Sequence, residues 1–307
     1  MQIGLTPFMK KILGLILLLG SLTETYGQRE VMFEQYVQNP MAINPAFTGV
    51  RGDFNMTAIF RRKWFTIRNS PSSQTFAADG LTANGRWGIG FQALNDQTSY
   101  FTTTGFYGSL AYHMPVASNW KLSLGGQGGI NVLPIVDVSN LGNNRAYGSF
   151  GLGAWLYSDH LYFGLSKPEI LNQNFGSQRV AALYRRPLYM TVGGSYDLGD
   201  ELLLLPYVLM VQEKSRSFRV DLGGKLWVHQ KVGLGLSYRM GGKPAYSSEA
   251  VNYFQISGEV QVGPNVRLGY NYNSRQAEQQ YISAQGPKGI HELMLKFTPS
   301  PVGFQKF

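Results

Sequence analysis

Four histidines, His113, His160, His229 and His291, are the residues of this 307-residue chain best suited to proton transfer or metal ligation. None has a partner at a useful spacing. Three stand at or beside expected short turns and one begins the last expected strand, so neither a triad nor a ligand cluster is implied. His291-Glu292 lacks the second histidine of a zinc-binding helix and falls in a strand pattern. "GIGFQA", residues 88–93, imitates a loose dinucleotide fingerprint but lies within a strand, with no helix to receive a phosphate. The chain has 0 cysteines, which removes disulfides, a cysteine-linked lipid anchor, thiolate metal sites and a cysteine nucleophile. The expectation is therefore no enzyme, no metal and no cofactor.

Two other groups are suited to holding something. Arg61, Arg62, Lys63 and Trp64 begin the first expected long loop, where cations would meet lipid phosphates with an indole at headgroup depth, or would grip a protein partner. The second group is "NPMAINPAFTG", residues 39–49, with two Asn-Pro pairs five residues apart. An asparagine before proline is driven to extended geometry, and each proline lacks an N–H for pairing. Such a stretch is expected to be neither a regular helix nor a ladder strand. Its apolar neighbours Phe33, Tyr36, Ile43 and Phe47 need burial, so it is expected to fold against or into one mouth of whatever follows, as a plug, a dock or an ordered strap.

The elements that would position these groups are strands. From residue 53 onward side chains alternate with period 2. In "SFRVDLGGKLWV", Phe218, Val220, Leu222, Leu226 and Val228 share one face, with Arg219, Asp221, Lys225 and Trp227 on the other. In "KVGLGLSYRM", Val232, Leu234, Leu236, Tyr238 and Met240 oppose Lys231, Ser237 and Arg239. We count 14 such segments, at 52–61, 73–82, 86–95, 101–113, 119–131, 149–158, 160–166, 186–197, 201–211, 217–228, 231–240, 250–262, 265–273 and 289–298. Most have the roughly 9 to 11 residues that a tilted strand needs to cross a bilayer, whereas globular strands average about 5 or 6. Tight connections such as Asp159-His160, His229-Gln230 and 263–265 alternate with longer ones at 132–148, 167–185 and 274–288. That asymmetry is typical of outer-membrane barrels. The expected fold is all-β, a transmembrane antiparallel up-and-down β-barrel of about 14 strands, with outer-membrane lipid against its apolar face. An even strand number puts both termini on the short-turn side, the periplasm. "ELLLLPYVLMV" (201–211) departs from alternation and carries Pro206; it reads as an apolar lumenal patch packed on internal side chains, or as a weakened seam.

At the N-terminus, Lys10 and Lys11 precede an apolar run too short to span a bilayer, followed by small and polar residues up to Gly27: the pattern of a signal peptide. The expected organisation is residues 1–27 signal peptide, 28–51 an N-terminal periplasmic or plug-like segment, and 52–307 the barrel. The formal charge of +9 suits anionic headgroups or an acidic partner. With no basic run longer than Arg61-Arg62-Lys63, nucleic acid is not an expected partner.

"FEQYVQNPMAINPAFTG" (33–49), "FRRKWFTIRNSPSSQTFAADG" (60–80) and "GIGFQALND" (88–96) resemble the PorP/SprF family of Bacteroidota outer-membrane proteins. Asn44, Pro45, Ala46, Phe47 and Gly49 match its Asn-Pro-Ala-aromatic-small-Gly element, Arg61 and Trp64 its arginine-tryptophan element, and Asn95 and Asp96 its Asn-Asp pair. Lys63 stands where glutamine is usual, and Ser72 and Ser73 where threonines are common. The resemblance implies a non-enzymatic component of the type IX secretion and gliding-motility apparatus. Its implied partners are the C-terminal domain of a secreted adhesin or other cargo and translocon or periplasmic ring components, with Asn44, Pro45, Phe47, Arg61, Arg62, Trp64, Asn95 and Asp96 as candidate partner-binding residues. The alternative function is a channel or transporter for small solutes.

Overall fold

The computed structural model describes residues 36–63, 70–98, 101–137, 140–171, 186–213, 218–241, 252–274 and 289–299. Two single-turn 3₁₀ helices, Pro40–Ala42 and Pro45–Phe47, precede a run of antiparallel strands. In order these are β1 Asn55–Lys63, β2 Ser72–Leu81, β3 Trp87–Thr98, β4 Phe101–Ala117, β5 Trp120–Asp137, β6 Asn140–Tyr157, β7 Leu161–Lys167, β8 Leu188–Gly194, β9 Tyr196–Asp197, β10 Leu202–Gln212, β11 Arg219–Val228, β12 Val232–Gly241, β13 Tyr253–Val262, β14 Val266–Asn273 and β15 Ile290–Phe297. β8 and the two-residue β9 both pair with β10 and together make one stave. The sheet closes because β15 pairs with β1 and β10 with β11. The result is a closed antiparallel barrel of 14 staves.

Closure follows from the alternation. Leu222, Leu234, Leu236, Phe254, Ile256 and Leu293 are each more than half exposed on the outer wall, and in water such a belt would be untenable. Their neighbours one residue away point inward and are polar: Asp221, Ser237, Gln255 and Glu292 are all buried. An apolar band outside and a polar, hydrogen-bonded interior is the arrangement of a barrel that spans a bilayer. No helix among the described residues is long and apolar enough to cross a membrane.

The first residues of β1 lie opposite the last of β15, Met56 facing Phe297, so both ends of the barrel wall lie at the end where the short turns gather. The His229-Gln230 turn has positive φ at both residues, 48° and 57°, the geometry of the tightest hairpin connections. At the other end the expected loop at 132–148 is not a loop: β5 and β6 stay paired to Asp137 and Asn140, with a register shift at Ile135/Val136. The β-branched Val132, Ile135 and Val136 favour extended backbone, and the ladder continues past the alternating segment. The expected loop at 274–288 lies almost wholly outside the described residues, as does most of that at 167–185.

The strand at 201–211 behaves as an apolar lumenal patch, with Leu203, Leu209 and Val211 buried at 0%, 0% and 1% exposure. Pro206 pairs in register with Gly224 of β11, but on its other side the ladder is interrupted. β10 meets β8 from Tyr207 onward and β9 only at Leu203 and Leu204. Proline has no N–H for that side, and Ser195 separates the two short strands.

Candidate functional site

The residues with the least reason to be inside a barrel wall are those packed within it. Pro40 and Pro45 each open a 3₁₀ turn, a position where a missing N–H costs nothing and a fixed φ helps. Residues 39–49 thus form two single 3₁₀ turns, neither a regular helix nor a ladder strand. Between them Asn44 is extended (φ −141°, ψ 108°) and its side chain accepts the N–H of Ala46, at 3.0 Å. Its amide nitrogen donates to the Ala154 carbonyl at 3.1 Å, so one side chain both caps a turn and ties it to β6. Met41, Ala46 and Phe47 are exposed by 1% or less.

A row of small residues makes room for this segment. Gly88, Ala111, Gly125, Gly153 and Ser166 face one another in register across β3, β4, β5, β6 and β7. A Cβ at Gly88 would stand 2.0 Å from the Thr48 carbonyl oxygen, at Gly125 2.5 Å from the Ala46 backbone, and at Gly153 2.0 Å from Asn44 Oδ1. These approaches are far inside van der Waals contact, so glycine at these inward positions leaves the volume that the Asn-Pro turns fill.

Polar contacts fix the segment around the circumference. Ser166 Oγ donates to the Ile43 carbonyl, His113 Nε2 lies 2.9 Å from the Thr48 carbonyl oxygen, and the Gly49 N–H donates to Asp79 Oδ2 at 2.9 Å. Gln38 Nε2 donates to Glu259 of β13. Arg51 Nη2 donates to the Gln38 carbonyl at 2.9 Å and its guanidinium lies 5.0 Å from the centre of the Phe47 ring. Burial, opposed mainly by Asp79, lowers the Arg51 guanidinium to about 10, so it is charged at neutral pH. Desolvation, with the Asp221 charge second, pushes the Tyr36 phenol well above its ordinary value.

Apolar contacts do the rest. Phe47 meets Trp155 edge-on, ring centres 5.1 Å apart, in a cluster with Met41, Ala46 and Ala77. Tyr36 and Ile43 pack with Tyr189, Leu209 and Val211, so the odd apolar strand finds its partner in the N-terminal segment. Full burial of residues such as Met41, Ile43 and Phe47 stabilises by roughly 1.5–3 kcal/mol each. Replacing Asn44 by alanine removes the cap and the tie to Ala154 together. It should lower stability by about 1–2 kcal/mol, read as a lower melting temperature and faster proteolysis at residues 39–49 in detergent.

Of the candidate partner-binding residues that are described, Asn44, Pro45 and Phe47 meet in this cradle and Arg61, Arg62, Asn95 and Asp96 do not. Arg61 does not start a loop: it lies within β1 and points inward, 3% exposed, with its Nε 3.7 Å from Glu292 Oε1. It is thus turned away from lipid headgroups. Asp96 also points inward and accepts from Ser73 Oγ. Arg61, Ser73 and Asp96 occupy one register row. Asn95 lies on the opposite face, bonded to Gln74 and Thr104. Arg62 donates to Ser70 Oγ at 3.1 Å, and Trp64 and Phe33 lie outside the described residues. His113, read as a turn residue, is instead an inward residue of β4 and 4% exposed, with Tyr157 OH at 3.1 Å from its second nitrogen. Its period-2 register was the available signal. The glycine row was not legible, because which glycines align depends on inter-strand register. No group of three or more metal-ligating side chains occurs among the described residues.

The family model described as "Type IX secretion system membrane protein PorP/SprF" matches residues 25–297. Among proteins with curated descriptions, none matches this sequence. Several solved barrels are similar in shape. A deltaS2 mutant of the monoaromatic hydrocarbon channel TodX superposes with a TM-score of 0.51 at 9% identity, over 84% of this chain and 93% of that one. Omp33 of Acinetobacter baumannii gives 0.47 at 9%, over 80% and 98%, and the toluene transporter TbuX of Ralstonia pickettii 0.46 at 9%, over 85% and 93%. At such identity the likeness speaks to the barrel fold alone.

Proposed function

Because the chain belongs to the PorP/SprF family of type IX secretion system membrane proteins, we propose that it works as a non-enzymatic binding barrel of that machinery. In this reading it supports the secretion and surface attachment of one cognate adhesin by holding the adhesin's C-terminal domain, and serves gliding motility through that cargo. As a strand barrel of a secretion-system membrane family it belongs in the outer membrane. The short turns and both termini face the periplasm, where translocon or periplasmic ring components meet it, and the long loops face outward, where cargo is held.

The observation that carries this reading is the filled lumen. Residues 36–49 contact β3, β5, β6, β7, β10 and β13, on opposite sides of the ring, so the barrel is built around an internal chain rather than an open bore. The rival reading, a channel for small solutes, draws on the barrel fold shared with the hydrocarbon channel TodX and predicts otherwise. Affinity purification with mass spectrometry should recover one adhesin, and deletion should strip that adhesin from the cell surface. If deletion leaves every surface protein in place and the wild-type barrel conducts in planar bilayers, the channel reading replaces this one.

A further inference from the structure

The outer wall of the barrel is not evenly filled. On its lipid side a groove of about 640 Å³ crosses β14, β15, β1, β2, β3 and β4, within the roughly 300–1,000 Å³ of sites that hold a small molecule. Two successive rows of outward side chains form it, and the inward row between them makes the floor. In the row nearer the short turns Leu268, Leu295, Ala58, Phe76, Ala93 and Phe106 stand side by side in register. The two alanines leave gaps between leucine and phenylalanine side chains that are exposed.

The second row, two residues closer to the long-loop end, changes character part-way round. Leu293 and Phe60 continue the apolar wall, and Gln74, Asn95 and Thr104 follow them in register. Thr104 Oγ1 donates to Asn95 Oδ1 at 3.1 Å, and Asn95 Nδ2 to Gln74 Oε1 at 3.4 Å. This chain of donors ends at Gln74, which is exposed on the lipid side and whose Nε2 has no acceptor among the described residues. An amide facing hydrocarbon without a partner is costly and marks a place where one is met.

One row further the outer face is polar, with His291, Arg62, Ser72, Gln97 and Thr102 in register. Of the basic run Arg61 to Lys63, alternation leaves Arg62 on this face, and it is part-exposed. Apolar gaps below, an amide donor at the boundary and a cation above repeat the order of a lipid molecule: acyl chain, linkage carbonyl, phosphate.

We propose that this groove holds one lipid of the outer leaflet, a phosphorylated glycolipid with hydroxylated acyl chains. An acyl chain lies over Ala58 and Ala93, its linkage carbonyl or chain hydroxyl accepts from Gln74 Nε2, and the phosphate stands toward Arg62. Hydroxyl-bearing acyl chains suit a row of amide and hydroxyl groups better than the plain chains of a phospholipid, which offer acceptors at the ester alone. The inference rests on the reading that the long loops face outward. It does not involve cargo, so its failure leaves the recovery of an adhesin untouched.

The full chain purified in detergent is titrated with diphosphoryl lipid A and, separately, with phosphatidylglycerol, and bound lipid is counted by native mass spectrometry. Lipid A should saturate at one molecule per barrel, with an advantage over phosphatidylglycerol on the order of ten-fold from its additional phosphate charge and hydroxyl groups. Ala93→Phe, which fills the groove from the lipid side, should abolish that saturable retention. Gln74→Leu, which serves alone if Ala93→Phe fails to insert, should weaken it about five-fold, as for loss of one hydrogen bond. Gly128→Phe adds the same ring on the outer face of β5, where a Cβ meets nothing within 4 Å, and should retain lipid A like the wild type. The proposal is overturned if lipid A is held no more tightly than phosphatidylglycerol, or if both groove variants retain it like the wild type. It is equally overturned if this face carries another outer-membrane protein, released by Ala93→Phe, in place of a lipid.

Discussion

Replacing Gly125 by leucine is expected to drive residues 39–49 out of the lumen and turn a barrel of low conductance into an open pore. The reason is local and steric. A Cβ at this inward position would lie 2.5 Å from the Ala46 Cα and nitrogen and 2.6 Å from the Pro45 carbonyl carbon. Those atoms are main chain, held in a 3₁₀ turn by Asn44 and by the β6 carbonyl, so no rotamer change relieves the clash. Overpacking of this kind costs about 1–3 kcal/mol even where side chains yield. Here the cheaper response is for the segment to leave, giving up the burial of Met41, Ile43 and Phe47. The control is one residue away. Gly126 pairs with the outward Leu110 and Leu152, and a Cβ there meets nothing closer than Leu152 Cδ2 at 3.5 Å. Gly126→Leu should therefore match the wild type in planar-bilayer conductance and in protease resistance of residues 39–49, while Gly125→Leu should lose the resistance and gain conductance. Equal behaviour of the two variants would refute the seating of the segment in this row.

The second large effect concerns the charge pair deepest in the wall. Asp221 is 0% and Arg239 1% exposed; Arg239 donates from Nε to Oδ1 at 2.7 Å and from Nη2 to Oδ2 at 2.6 Å. Arg239 also donates to the Tyr253 hydroxyl and lies 5.1 Å from its ring centre. Arg219 Nε stands 3.9 Å from the same carboxylate. Asp221→Ala therefore leaves two guanidinium groups in the interior without their shared counter-charge, and breaking a buried pair in this way costs about 3–5 kcal/mol. The expected result is a marked fall in the urea midpoint for refolding into micelles, with loss of the gel-mobility difference between heated and unheated samples. Asp221→Leu combined with Arg239→Met should recover part of the loss, because the bidentate pair is then replaced by apolar groups of similar size and only Arg219 loses a counter-charge. If Asp221→Ala alone refolds like the wild type, the pair has no part in holding this wall.

Much of this molecule was legible along the chain. The alternation of Leu222 with Asp221, or of Leu236 with Ser237, decides which face meets hydrocarbon, because moving a charge to the lipid side costs about 2–4 kcal/mol at the midplane. Fourteen such segments with tight turns between alternate pairs leave little choice but a closed antiparallel ring, since an open edge within a bilayer would strand unpaired backbone groups. The prolines of residues 39–49 likewise excluded that segment from the ladder. Each of these properties is set by a residue and its near neighbours.

What folding in three dimensions decided is where those locally fixed pieces meet. Asn44 reaches the carbonyl of Ala154, 110 residues away, and the cradle beneath it exists because Gly88, Gly125 and Gly153 fall into one row. No single strand encodes that row; it arises from the registers of β3 to β6 taken together. Register also brought the inward Arg61 onto Glu292, more than two hundred residues along the chain. The sequence alone determined that every second side chain would face lipid. Only the closed ring determined which inward side chains share the lumen with the N-terminal segment, because enclosure brings together residues far apart along the chain.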